Sequence, residues 1–81
     1  MQLAQTYRTF SRESLAAELG VTPRRISYWV NVGVMPPAHG SNPRWAYYDD
    51  HHVRRGRAIL RDVYDARITF ADYRERLDGA A

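Results

Sequence analysis

The chain holds 81 residues with twelve arginines, nine carboxylates, no lysine and no cysteine, for a net charge of +3. A length of this order allows one small domain that buries roughly 60% of its unfolded surface, and the lack of cysteine excludes disulfide staples and thiolate metal sites. The opening "MQLAQTYRTF" has no long apolar run, so neither a signal peptide nor a membrane span is expected, and the expected setting is the cytoplasm.

In chain order, residues 1–10 read as an N-terminal arm. A first helix is expected over Arg12–Leu19, with Ser11 as N-cap, Glu13 at its positive end and Gly20 as its stop; Leu15, Ala16 and Leu19 share one face. Thr22 caps a second helix, Pro23 takes the first helical position where its missing N–H costs nothing, and Gly33 ends it. Only Val21 and Thr22 separate the two, which makes a helix-turn-helix. Residues 34–48, "VMPPAHGSNPRWAYY", are broken by prolines and a Gly-Ser-Asn tip and are expected to hold no helix. Val34, Trp45, Tyr47 and Tyr48 suit strands, so the stretch reads as a short β-hairpin or loop, a wing. A third helix is expected from its cap Asp49 to about Asp65, burying Val53, Gly56, Leu60, Val63 and Tyr64. Thr69 caps a fourth in which Phe70, Tyr73 and Leu77 line up and Asp72 can pair with Arg76, before a frayed tail at 79–81. The fold class is mainly α: a winged helix-turn-helix over residues 11–78, with four short helices and a small β-hairpin wing.

Charge is unevenly spread. Residues 20–61 carry seven arginines against Asp49 and Asp50, whereas residues 62–81 carry Arg67, Arg74 and Arg76 against Asp62, Asp65, Asp72, Glu75 and Asp78. A basic middle beside an acidic tail suits a polyanion at one face; the plainer reading is a solvated arginine-rich surface. On the second helix Ile26, Trp29 and Val30 fall on one side. Arg24, Tyr28 and Asn31 recur at i, i+4, i+7 on the opposite side, flanked by Arg25 and Ser27. Arginine can grip guanine or phosphate, asparagine can read adenine, and a tyrosine hydroxyl can reach a phosphate oxygen. The N-terminal end of such a helix is the end that enters a major groove.

"LAAELGVTPRRISYWVNVGVMPP" resembles the DNA-binding domain of the MerR family through Leu15, Ala16, Gly20, Val21, Thr22, Ile26, Tyr28, Gly33, Pro36 and Pro37. "YDDHHVRRGRAIL" and "ITFADYRERL" resemble later family segments through Tyr48, Val53, Arg55 and Ile59, and through Thr69, Phe70, Asp72 and Leu77. The likeness covers about residues 10–77. It implies that 21–32 is a recognition helix, that 34–48 is a wing lying along flanking backbone or minor groove, and that Tyr28 contacts phosphate. Two positions depart from the family pattern. The helix arginine before that tyrosine is Ser27 here, and the wing arginine is Ala46, with Arg44 nearby. No dimerisation helix or effector domain is expected to follow.

The candidate DNA contacts are therefore Thr22, Arg24, Arg25, Ser27, Tyr28, Asn31, Arg44 and Arg54. Arg54 heads an arginine stripe with Arg57 and Arg61, which otherwise reads as a solvated face with Arg61 paired to Asp65. Trp45, Tyr47 and Tyr48 read as apolar pins holding the wing to the core, with Trp45 or Tyr47 the exception that could stack on a base. Neighbouring His51 and His52 point apart on a helix and His39 is distant in sequence, so no metal site is expected. No cofactor is expected either, and no nucleophile–base pair or phosphate-cradling loop suggests an enzyme. The expected partner is double-stranded DNA, with further copies of the chain, a recombinase or another regulator beside it, and no membrane. The likeness leaves open a compact transcription regulator, an excisionase-like architectural factor and a DNA-packaging subunit. A protein-interaction adaptor that does not bind DNA is the reading from another class.

Overall fold

A computed structural model describes residues 8–40 and 42–79. Helix α1 spans Arg12–Leu19; the Ser11 hydroxyl accepts the Ser14 N–H at 3.0 Å, and Gly20 closes the helix in the left-handed region at φ 73°. Helix α2 spans Pro23–Asn31, with the Thr22 hydroxyl accepting the Arg25 N–H at 3.2 Å and Gly33 at φ 85° just beyond the end. These caps are the ones the sequence marks. They satisfy backbone groups that a helix end otherwise leaves open, and they set α1 and α2 as a helix-turn-helix.

The core gathers Leu15, Ala16 and Leu19 of α1, Ile26 and Trp29 of α2, then Val34, Met35, Tyr48, Val53, Ile59 and Tyr73. Helix α3, Asp50–Ile59, lies against α1 at Gly56, where an added Cβ would stand 2.3 Å from a Leu19 methyl. From Leu60 to Asp65 the helix widens into π geometry, and the Ala66 N–H reaches back to the Arg61 carbonyl at 3.0 Å. That widening offsets the stripe expected at regular helical spacing. Ile59 is fully buried, Leu60 and Val63 are half-buried, and Tyr64 is 37% exposed, turned towards α2. Helix α4, Phe70–Gly79, is capped by the Thr69 hydroxyl, which accepts the Asp72 N–H at 3.0 Å; its Tyr73 is buried.

Three local expectations change. Arg61 clasps its neighbour Asp62 and not Asp65, its Nε and one Nη donating to the two carboxylate oxygens at 2.9 and 3.2 Å. No Asp72–Arg76 ion pair forms among the described residues. Gly79, placed with the tail from the sequence, is the last helical residue; 80–81, and residues 1–7 of the arm, lie outside the described residues.

The wing hangs on a very small sheet. Strand β1, Thr9–Phe10, pairs antiparallel with β2, Tyr48–Asp49, in the register Thr9–Asp49 and Phe10–Tyr48. On the wing side His39 bridges Tyr47, with N–H to carbonyl distances of 2.8 and 3.1 Å. Residues 47–49 are thus flanked by the wing's outgoing limb and by the segment before α1. At the wing tip, Pro43–Trp45 forms one 3₁₀ turn, although prolines were expected to keep the whole stretch free of helix. Such a turn needs only the Trp45 N–H to the Asn42 carbonyl, 2.9 Å, and tolerates Pro43 at its start because no N–H is called on there.

Candidate nucleic-acid interface

Packing fixes the orientation of α2. Ile26 and Trp29 are fully buried, and the Trp29 ring N–H donates to the Tyr64 hydroxyl at 3.2 Å. Arg24, Arg25, Tyr28 and Asn31 consequently stand out into solvent, with Tyr28 50% exposed. Beneath them lies an aromatic base. The Tyr28 ring meets Phe70 edge-on at 5.6 Å, Phe70 meets Tyr64 at 6.1 Å, and the Arg25 guanidinium rests 5.1 Å from the Tyr64 ring centre. Such contacts limit the conformations of exposed side chains before any ligand arrives. Thr22, Arg24, Arg25, Tyr28 and Tyr64 line an open concavity of about 350 Å³.

A second concavity of about 450 Å³ lies between the wing and the start of α1, lined by Ser11, Arg12, Glu13, Arg44, Ala46 and Tyr48. Arg12 joins the two areas. Its guanidinium donates to the Ser27 hydroxyl oxygen at 2.8 Å, while lying 3.7 Å from Glu13. Arg44, in the wing's 3₁₀ turn, is held at the backbone by its N–H to the Asn42 side-chain oxygen at 2.9 Å.

The arginines fall into two sets. Arg8, Arg57 and Arg61 are bound to Asp50, Glu18 and Asp62 at 2.9, 3.1 and 2.9 Å. Among the described residues, Arg24, Arg25 and Arg44 have no carboxylate within 4.0 Å, and neither do Arg54, Arg67 and Arg76, nor Arg55 and Arg74, which donate to the Val34 and Val32 carbonyls. A surface of uncompensated guanidinium groups on a short, capped helix and a nearby turn is chemically suited to a polyanion.

The family model described as "MerR HTH family regulatory protein" matches residues 10–79. The chain belongs to the MerR helix-turn-helix family. It is 35% identical over 75 residues to the HTH-type transcriptional regulator CueR of Bacillus subtilis (strain 168), a match covering 93% of this chain and 49% of that protein. The chain thus spans about half the length of this curated relative. No solved structure matched it. No helix among the described residues is long and apolar enough to cross a membrane.

Within this MerR-family domain, the expected contact residues are not all gathered. Thr22, Arg24, Arg25 and Tyr28 share one concavity, Ser27 connects through Arg12 to the second, and Asn31 closes the exposed side of α2. Thr22 and Ser27 already use a hydroxyl lone pair, on the Arg25 N–H and on Arg12, and each keeps its O–H to donate. Arg54 is exposed on α3 and lines neither concavity. Arg12, Tyr64 and Phe70 escaped the sequence reading. Arg12 looked like an ordinary first-turn residue, and Tyr64 looked like core. Trp45 is no pin: it is 71% exposed, and Tyr47 is also exposed, leaving Tyr48 alone in the core.

His39, distant in sequence, is close in space. The wing folds back so that His39 Nε2 lies 2.9 Å from one Asp49 oxygen, and His52 Nδ1 lies 3.0 Å from the other. His52, in the first turn of α3, is fully buried. Burial pushes the Asp49 carboxyl up, but hydrogen bonding to His52 and His39 and the His52 N–H outweigh it and hold it at about 2.

Proposed function

We propose that this chain is a small MerR-like transcription regulator whose residues 11–78 bind double-stranded DNA in a sequence-specific manner, in the cytoplasm. Helix α2 enters the major groove and the wing lies on the flanking backbone. The observation that carries this reading is the division of the arginines: those on α2 and the wing turn are uncompensated, whereas others are neutralised within the molecule. Membership of a family of helix-turn-helix regulators supports the same reading.

Arg24, near the helix N-terminus, is suited to guanine or a phosphate, and Asn31 to adenine. Arg25, braced on Tyr64, and Tyr28, braced on Phe70, are suited to backbone phosphates, with the Thr22 and Ser27 hydroxyls as further donors. Arg44 clamps from the wing, and Arg54 takes a peripheral phosphate. One module of this kind covers about 600–1,000 Å², and further copies on adjacent sites, or a recombinase or other regulator bound alongside, add to its occupancy.

Fluorescence anisotropy on labelled genomic fragments tests the reading. Binding should weaken linearly on a log–log plot against salt, with a slope near −0.9 per phosphate neutralised. The folded double variant Arg24→Ala with Tyr28→Phe should lose about tenfold or more in affinity, since each such contact contributes about 1 kcal/mol or more. Unchanged affinity in that variant would place the DNA face elsewhere.

A further inference from the structure

We propose that His39, Asp49 and His52 form a divalent-cation site of the zinc class, tying the wing to the start of α3. The three residues come from two segments that only the fold brings together, the wing limb at residue 39 and the cap of α3. One candidate ligand atom from each lies within 4.8 Å of the others; His39 Nε2 is 2.9 Å from one Asp49 oxygen and His52 Nδ1 is 3.0 Å from the other. Four-coordinate zinc with bonds of about 2.0–2.1 Å holds its ligand atoms about 3.3 Å apart, so each of these two nitrogen–oxygen pairs lies within a few tenths of an ångström of what the ion needs.

The proton positions favour the same assignment. His52 Nε2 lies 3.1 Å from the Pro37 carbonyl, which can only accept, so this nitrogen carries the hydrogen. Nδ1 of the neutral ring is then a lone pair, fully buried and aimed at Asp49. A backbone carbonyl behind a histidine is the usual way a metal ligand's tautomer and ring plane are fixed. The lone pair accepts the Asp49 N–H at 3.1 Å, yet a carboxylate oxygen stands 3.0 Å from the same nitrogen. In the charged ring, a proton on Nδ1 spans that separation in the hydrogen-bonded pair, and a metal cation of the zinc class can take the place of that proton. The ion takes over the lone pair that the Asp49 N–H uses, so the return half of the helix cap is what binding gives up. His39 supplies the third ligand from the exposed side, through which an ion can enter, and water completes the shell.

The test uses the whole chain without a histidine tag and without DNA, so that its outcome is independent of the DNA-binding reading. Co²⁺ is titrated while the visible absorption of the four-coordinate ion is recorded, then Zn²⁺ is added to displace it. The intact protein should develop the band, Zn²⁺ should remove it, and Zn²⁺ should raise the melting temperature. His39→Ala alters a half-exposed side chain and should fold, as circular dichroism can verify, yet bind Co²⁺ at least about tenfold more weakly. His51→Ala, next to the site but exposed, should bind as the parent does. The site is refuted if the parent gives no band, if folded His39→Ala retains parental affinity, or if His51→Ala abolishes binding.

Discussion

Arg67 turns the chain between α3 and α4 with φ at 62°, the one non-glycine residue in the left-handed region among those described. Helices commonly leave through such a residue, and glycine usually supplies it. Gly20 and Gly33 do so here, at φ 73° and 85°, which is why the ends of α1 and α2 can be read from the sequence. The third helical segment ends at Asp65, where the sequence reading put it, although an arginine and not a glycine occupies the turn that follows. In this conformation a Cβ crowds the following carbonyl and costs about 1–2 kcal/mol, whereas glycine in place of a side chain costs about 0.5–1 kcal/mol in chain entropy. Arg67 is exposed and forms no ion pair among the described residues, so little else is lost on replacing it. Arg67→Gly should therefore raise stability by a few tenths to about 1 kcal/mol. For a domain of this size that is a rise of up to about 4–8 °C in Tm, measured by thermal unfolding; a lower Tm would show that Arg67 is not strained.

Between elements, the close approach of α1 and α3 rests on Gly56. Glycine inside a helix is unfavourable by about 0.5–1 kcal/mol relative to alanine, so a surface Gly→Ala change would stabilise the helix. At Gly56 the added methyl would meet buried Leu19, with its three nearest atoms between 2.3 and 3.2 Å away. Overpacking of this kind costs about 1–3 kcal/mol, which exceeds the propensity gain. Gly56→Ala should lower stability by about 1 kcal/mol net in chemical denaturation; a more stable variant would mean that α1 and α3 separate freely. The sequence placed Gly56 on the buried side of α3 because Val53 and Gly56 precede the π segment and obey ordinary helical spacing. It misplaced Tyr64, which lies within the widened segment, since periodicity carries no signal of where a helix changes its pitch. The wing was legible as a non-helical insertion but not as a path. Nothing periodic in residues 34–48 records that His39 returns to His52, or that Trp45 faces solvent. Arg12 was hidden for a related reason: its contact with Ser27 exists only once α1 crosses α2.

For the molecule as a whole, the consequence is that arginines alike in sequence differ in what they can still bind. Arg24 on α2 and Arg44 in the wing turn have no carboxylate partner among the described residues, and they line separate concavities, the second tied to α2 by the Arg12–Ser27 hydrogen bond. Arg57, on α3, already donates to Glu18 at 3.1 Å. A single DNA duplex lying across α2 and the wing would neutralise the first two and leave the third in place. Each exposed arginine removed from a phosphate should then reduce the magnitude of the log–log salt slope by about 0.9. Arg24→Ala and Arg44→Ala should each do so, and the double variant should lose about twice as much, because distant sites without shared partners combine additively. Arg57→Ala should leave the slope unchanged while costing at most about 1 kcal/mol of stability, the scale of an exposed ion pair. Anisotropy titrations over a range of salt concentrations on one DNA fragment measure all four proteins. If Arg57→Ala changes the slope and Arg44→Ala does not, the duplex runs along α3, and the exposed wing turn faces something other than DNA.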